Sequence, residues 1–372
     1  MSWYRLAGVA VAWALTCATA VARPPPRGAP GAAPRAPFDQ VAADAAKARE
    51  AAQVDAAIAL YRRALSMRPS WDEGQWYLGS LLYELGRARE ARAAFDQLAR
   101  LQPRHAAAVA MSGLCEFQLG DREAALRPLL RARQLNVQQS PEIATVARYH
   151  TAILLTRFGE FEAGNQVLTE LAADGQESPL VVEAFGLNVL RTPMLPGEAV
   201  AATRDRILLA GQAGFAMGAR RAATARPLLE QLVSRYPDSS HVHYLWGVFL
   251  LADDPARALD AFRRALEVTP SHVPARLQMV FELVKQGEAT AARPLAEKAI
   301  EIDPQAFGPR LALGQVLLGL GDTASAITAF EEAVRLAPES PQTPHMPAVA
   351  YGRAGRTADA DRARAEFTRL SK

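Results

Sequence analysis

The side chains able to do chemistry in this sequence are few, and their spacing decides what they can do: six histidines, two cysteines and scattered acid clusters. His241 and His243 stand two residues apart in an apolar stretch that reads as helix, so their imidazoles point to different faces. A shared metal would require unwinding, whereas helical zinc sites place two histidines four apart. His105, His150, His272 and His345 stand alone near expected helix starts or turns, where capping and solvated roles are common. Glu331 and Glu332 fall on an expected solvated face. Neither a glycine-rich phosphate loop, nor a G-x-S-x-G elbow, nor a C-x-x-C pair occurs, so the residues offer no catalytic set, no cofactor site and no metal site. Cys115, between Leu114 and Phe117 on an expected helix, reads as a buried, inert thiol.

With no catalytic constellation to position, the elements themselves become the informative level. The chain has 372 residues, 50% hydrophobic and 22% charged, and counting gives 76 alanines, about a fifth of the total. Alanine has the best helix propensity and little bulk, so the core must be built from close helix contacts. Strand-rich sandwiches and barrels, which need alternating β-branched and aromatic runs, are excluded. The net charge is only +3, and the arginines are interleaved with Glu and Asp rather than gathered into a one-signed stripe. Nucleic acid is therefore not an expected partner.

The first 22 residues read as a signal peptide: one arginine at position 5, an uncharged run from Leu6 to Ala22, and small residues at Ala18, Ala20 and Ala22 for cleavage. Ala14-Leu15-Thr16 before Cys17 is a poor lipobox. The alternative is an uncleaved anchor, and membrane association is expected only in that case. Cleavage would leave Cys115 as the single thiol, with no intramolecular disulfide. Residues 23–37, rich in Pro and Ala, read as an extended linker.

A fixed period organises the rest. Helix-ending prolines fall at Pro69 and Pro103, then at Pro237, Pro270, Pro304 and Pro338, at spacings of 34, then 33, 34 and 34. Ala57, Ala91 and Ala125 repeat at 34, and Ala225, Ala258, Ala292, Ala326 and Ala360 at 33, 34, 34 and 34. Turn glycines follow at Gly86 and Gly120 and at Gly287, Gly321 and Gly355. The segment Phe307 to Ser340 shows Leu313-Gly314, Leu317, Gly321-Asp322, Ala326, Phe330, Ala333 and Pro338; Asp72 to His105 matches with Trp76, Leu78-Gly79, Leu82, Gly86, Ala91, Phe95 and Pro103. These slots resemble the tetratricopeptide repeat family. Small residues at Gly79, Gly113, Gly247 and Gly314 let paired helices approach, while the slot of Tyr61, Phe95, Leu129, Phe262 and Phe330 is expected to plug the gap to the next repeat.

The resemblance implies an all-α fold, a right-handed α-solenoid of antiparallel helix pairs. Nine copies are expected, arranged as an N-terminal array at 38–179, an irregular helix with a proline-rich insertion at 180–205, and a C-terminal array at 206–372 ending in a polar capping repeat. The fourth copy departs most, with Gly164 in the alanine slot. The family binds on the concave surface of its first helices. Carried over residue by residue, that surface takes Trp76, Ser80 and Tyr83, then Leu114 and Phe117, then Tyr149, Ile153 and Arg157, then Tyr244, Phe281, Lys285 and Gln315. Their aromatic and aliphatic character does not match the family's carboxylate clamp and suits an extended or helical peptide, although packing between stacked helices would use the same spacings. Stacking of the tyrosines and tryptophans on a glycan is left open. The expected role is a non-catalytic protein-binding scaffold, exported to the periplasm or secreted. An adaptor in outer-membrane or envelope polysaccharide export assembly, or a regulator tethered by the retained N-terminus, are the alternatives.

Overall fold

A computed structural model describes residues 37–135, 140–338 and 345–370. The expected signal peptide and its cleavage sites, and residues 23–36 of the expected linker, lie outside the described residues. Pro37, the last residue assigned to that linker, instead opens the first helix.

Among the described residues all regular structure is helical, in nineteen helices and no strands. They follow as antiparallel pairs: α1 (Pro37–Glu50) with α2 (Val54–Met67), α3 (Asp72–Glu84) with α4 (Ala88–Leu101), α5 (Ala106–Gln118) with α6 (Arg122–Gln134), α7 (Pro141–Arg157) with α8 (Phe161–Ala173), and α9 (Pro179–Val189) with α10 (Ala201–Gly218). After α11 (Ala222–Arg235) come α12 (Ser240–Leu250) with α13 (Pro255–Val268), α14 (Val273–Lys285) with α15 (Ala289–Ile302), α16 (Phe307–Gly319) with α17 (Thr323–Leu336), and α18 (His345–Arg353) with α19 (Thr357–Leu370). The fold is an all-α solenoid of the expected kind. The contacts divide it into two compact units, the first ending at Arg220 and the second beginning at Arg221. The sequence spacing had placed the start of the second array at 206, which falls inside α10.

The periodic residues occupy the same place in each pair. Ala57, Ala91, Ala125, Ala225, Ala258, Ala292 and Ala326 are fully buried. Each helix-ending proline stands two residues beyond the last helical residue, where a ring on nitrogen blocks further propagation. In the large slot the ring lies over the glycine of its own repeat: a Cβ added at Gly79 would come within 2.8 Å of Phe95, and one at Gly247 within 2.5 Å of Phe262. The hollow left by the glycine is thus filled inside the pair, by the ring of its own second helix. Asp121, Asp254 and Asp322 cap α6, α13 and α17 by accepting from the backbone N–H three residues on.

The α9/α10 pair is built differently. Gly186 and Gly211 face the opposite backbone so closely that a Cβ on either would collide with the carbonyl of Ile207 or Val182. Gly164, the misfit in the alanine slot, makes room for Asn188 of α9, whose amide donates to Thr156 Oγ1 at 2.9 Å and to the Phe161 carbonyl at 3.0 Å.

Candidate functional site

The first helices of the repeats carry the expected binding face, and in the first unit α5, α7 and α9 lie side by side. Trp76 is half-buried and committed to packing: its ring meets Phe95 at 5.6 Å and His105, the cap of α5, at 5.5 Å. Ser80 spends its hydroxyl on the Trp76 carbonyl at 2.9 Å. Tyr83 is half-buried between α3 and α5, hydrogen-bonded to Gln118 and beside Cys115, and burial pushes its phenol well above the usual value. Leu114 and Ile153 are buried in the core. Phe117 is half-buried and meets the His150 ring edge-on at 4.6 Å. Tyr149 is half-buried next to Glu183, with its phenol also pushed up by burial first and by that carboxylate second. Arg157 is exposed and donates to the Pro193 carbonyl at 3.1 Å.

In the second unit Tyr244 repeats the Trp76 arrangement, with Phe262 at 6.0 Å and His272, the cap of α14, at 5.2 Å. Phe281 is half-buried against the core of α12 to α16, Gln315 is half-buried on α16, and Lys285 is exposed, 3.4 Å from Glu282. In the first unit Arg157 thus remains exposed, with half-buried edges of Ser80, Tyr83, Phe117 and Tyr149; in the second unit Lys285 remains exposed, with half-buried edges of Phe281 and Gln315. Leu114 and Ile153 lie beneath the first-unit face, and Trp76 and Tyr244 are largely occupied by neighbours.

His272 caps α14 as expected, and two of the histidine readings need correction. His272 is not alone: its Nε2 lies 2.9 Å from Nδ1 of His241, one repeat earlier, while its own Nδ1 accepts from the Ala275 N–H. His150 lies in the middle of α7 rather than near a start, with Nδ1 on the Val146 carbonyl at 2.8 Å, and burial holds its imidazole below the ordinary value. His243 reaches the Pro237 carbonyl at 2.6 Å, so it and His241 serve different partners. His105 does cap a helix, accepting from the Ala108 N–H. Cys115 is buried, its thiol pushed up to about 12 by desolvation, which keeps it protonated and unreactive. Among the described residues no group of three or more His, Cys, Asp or Glu could hold a metal ion. No helix among them is long and apolar enough to cross a membrane.

Four arginines brace neighbouring segments. Arg92 pairs with Glu116 at 2.7 Å, Arg148 with Asp174 at 2.6 Å, Arg191 with Glu162 at 2.7 Å and Arg310 with Glu332 at 3.0 Å.

Tetratricopeptide repeat models match residues 77–139, 216–273 and 283–346. The chain is a tetratricopeptide repeat protein. It is similar, at 38% identity over 95 residues, to a probable biofilm formation methyltransferase, WspC, of Pseudomonas putida, covering 25% of this chain and 22% of that one. It is 27% identical over 227 residues to the human protein O-mannosyl-transferase TMTC3, covering 58% of this chain and 24% of the relative. This tetratricopeptide repeat protein thus spans about a quarter of the length of the curated relatives it matches. Among solved structures, MamA from Desulfovibrio magneticus RS-1 aligns at 22% identity and a TM-score of 0.37, covering 44% of this chain and 92% of the other. MamA of AMB-1 aligns at 26% and 0.33, covering 42% and 92%.

Proposed function

We propose that this tetratricopeptide repeat protein is a non-catalytic scaffold of the bacterial cell envelope, exported by its N-terminal segment, that docks a segment of a partner protein on the first-helix face of its repeats. The single observation that carries this reading is on α7 and α9. There the face already holds backbone: Arg157 meets the carbonyl of Pro193, and Glu183 accepts from the N–H of Gly197 at 2.8 Å. A surface that recognises main-chain groups and offers half-buried aromatic edges is suited to peptide binding. The enzymatic titles of two relatives stay with those proteins, because this chain covers too little of either to bring an activity along. Export is supported by the basic, apolar and small-residue order of the first 22 residues.

The test is site-specific photo-cross-linking in native envelopes. A photoreactive residue at Arg157 or Gln315 on the first-helix face should capture a defined partner, while the same residue at Lys298, exposed on α15, should not. Equal capture from all three positions, or none from the first two, would overturn the groove. N-terminal sequencing of the mature protein tests export: a start near Val21 or Arg23 supports cleavage, and an intact Met1 favours a membrane-tethered regulator.

A further inference from the structure

The connection from α9 to α10 lies on the first-helix face. Arg157 Nη1 donates to the Pro193 carbonyl, the Leu195 side chain is 6% exposed within the cluster that holds Ile153, Val181 and Ala184, and Gly197 N–H donates to Glu183 Oε1. Glu183 is itself 6% exposed and sits beside Tyr149. Pro193 is thus held at the Arg157 end of α7, and Gly197 is held by Glu183 of α9, which borders Tyr149.

The segment is also closed on itself. Glu198 N–H donates to the Leu195 carbonyl at 3.1 Å, Pro196 and Gly197 take the two middle positions, and Gly197 has φ of 85°, which makes a type II turn. Glu198 Oε2 accepts from the Leu195 N–H at 2.9 Å and ties the turn shut. Around it Pro193, Gly197 and Glu198 are exposed, and Leu195 is its one buried side chain. What α7 and α9 contribute is thus a leucine pocket and two main-chain hydrogen bonds, none of which depends on the turn being joined to α9.

We infer that the α7–α9 face is a recognition site for a leucine-headed turn, occupied in this structure by the protein's own residues 193–198. A partner segment of the same chemistry, a leucine leading into a Pro-Gly turn whose main chain meets Arg157 and Glu183, enters by displacing it. This rests on the scaffold reading above and names the occupant of one part of its surface.

The test uses the full chain with residues 192–198 replaced by a Gly-Ser segment of equal length, and a fluorescein-labelled peptide of residues 191–198, blocked at both ends. The replaced chain should bind the peptide at micromolar concentration, at least tenfold more tightly than the intact chain. A peptide with serine in place of the leucine, or E183Q added to the replaced chain, should weaken binding at least tenfold. Absence of saturable binding by a replaced chain with intact helical circular dichroism overturns the inference, as does binding indifferent to the leucine. Because the replacement could fail to fold, amide exchange in the intact chain gives a second reading. The Leu195 and Gly197 amides should exchange at least tenfold faster than mid-helix amides of α7 and α9, and exchange at the same rate would make the turn part of the core and overturn its displacement. A replaced chain that ignores the peptide yet still cross-links its partner through position 157 sinks this inference alone; loss of both sinks the scaffold reading as well.

Discussion

At the scale of single residues, the positions that matter most are those where a side chain is missing or misplaced relative to the repeat. Gly186 and Gly211 allow backbone-to-backbone contact between α9 and α10, so Gly211→Ala must push the two helices apart. We expect a loss of roughly 2–3 kcal/mol, read as a lower midpoint of chemical denaturation of the first unit. Gly164 is legible only as a departure from the pattern, since its reason, the Asn188 amide, lies some two dozen residues away on the next pair. Glu183 escaped the sequence reading altogether, because an acid in an apolar helix gives no hint that its partner is a backbone N–H in a later loop. His150 offers a pH signature with a definite sign. Its imidazole is held below the usual 6.5, so the folded state prefers the neutral ring while the unfolded chain takes up a proton near that value. Stability from this group is complete above about pH 6.5 and is lost as pH falls below it. Thermal melts at pH 7.5 and pH 5 should differ by ~2–4 °C more in the native chain than in His150→Phe, which keeps a ring against Phe117.

At the scale of elements, the period of the sequence located the helix pairs because each slot has a local cause: the proline two residues past the second helix blocks its continuation, and a glycine under Phe95 or Phe330 is required by the ring above it. The α9/α10 pair was half legible. An irregular helix was expected within 180–205, but not its union with α10 into a pair, since Gly186 and Gly211 sit outside the alanine series that marks the others. The candidate face was legible to the extent that packing leaves it free. Spacing put Trp76 and Tyr149 in equivalent places, yet Trp76 is held by His105, a cap whose identity the pattern does not specify, whereas Tyr149 borders Glu183 and the turn. Helical spacing names the side of a helix; what covers that side is settled by loops and caps that the spacing does not encode.

At the scale of the whole molecule, each unit is a series of nearest-neighbour contacts, so its ends depend on their last pair. The α18/α19 pair covers α16 and α17: Arg353 donates to the Leu318 carbonyl at 3.3 Å, Tyr351 to Glu331 at 2.8 Å, and Ala350 is buried with Leu311, Leu318 and Ile327. Ending the chain at Pro338 should expose that apolar surface and give aggregation or partial unfolding by light scattering and circular dichroism; a soluble, fully helical product would contradict it. The same series has a mechanical meaning. A chain held only by successive neighbours yields under tension one pair at a time, each release of about 34 residues adding about 110–120 Å of extended length. In the α9/α10 pair backbone is set against backbone at Gly186 and Gly211, independently of the turn between the helices, and a pulling experiment should find this pair among the last of the first unit to give way.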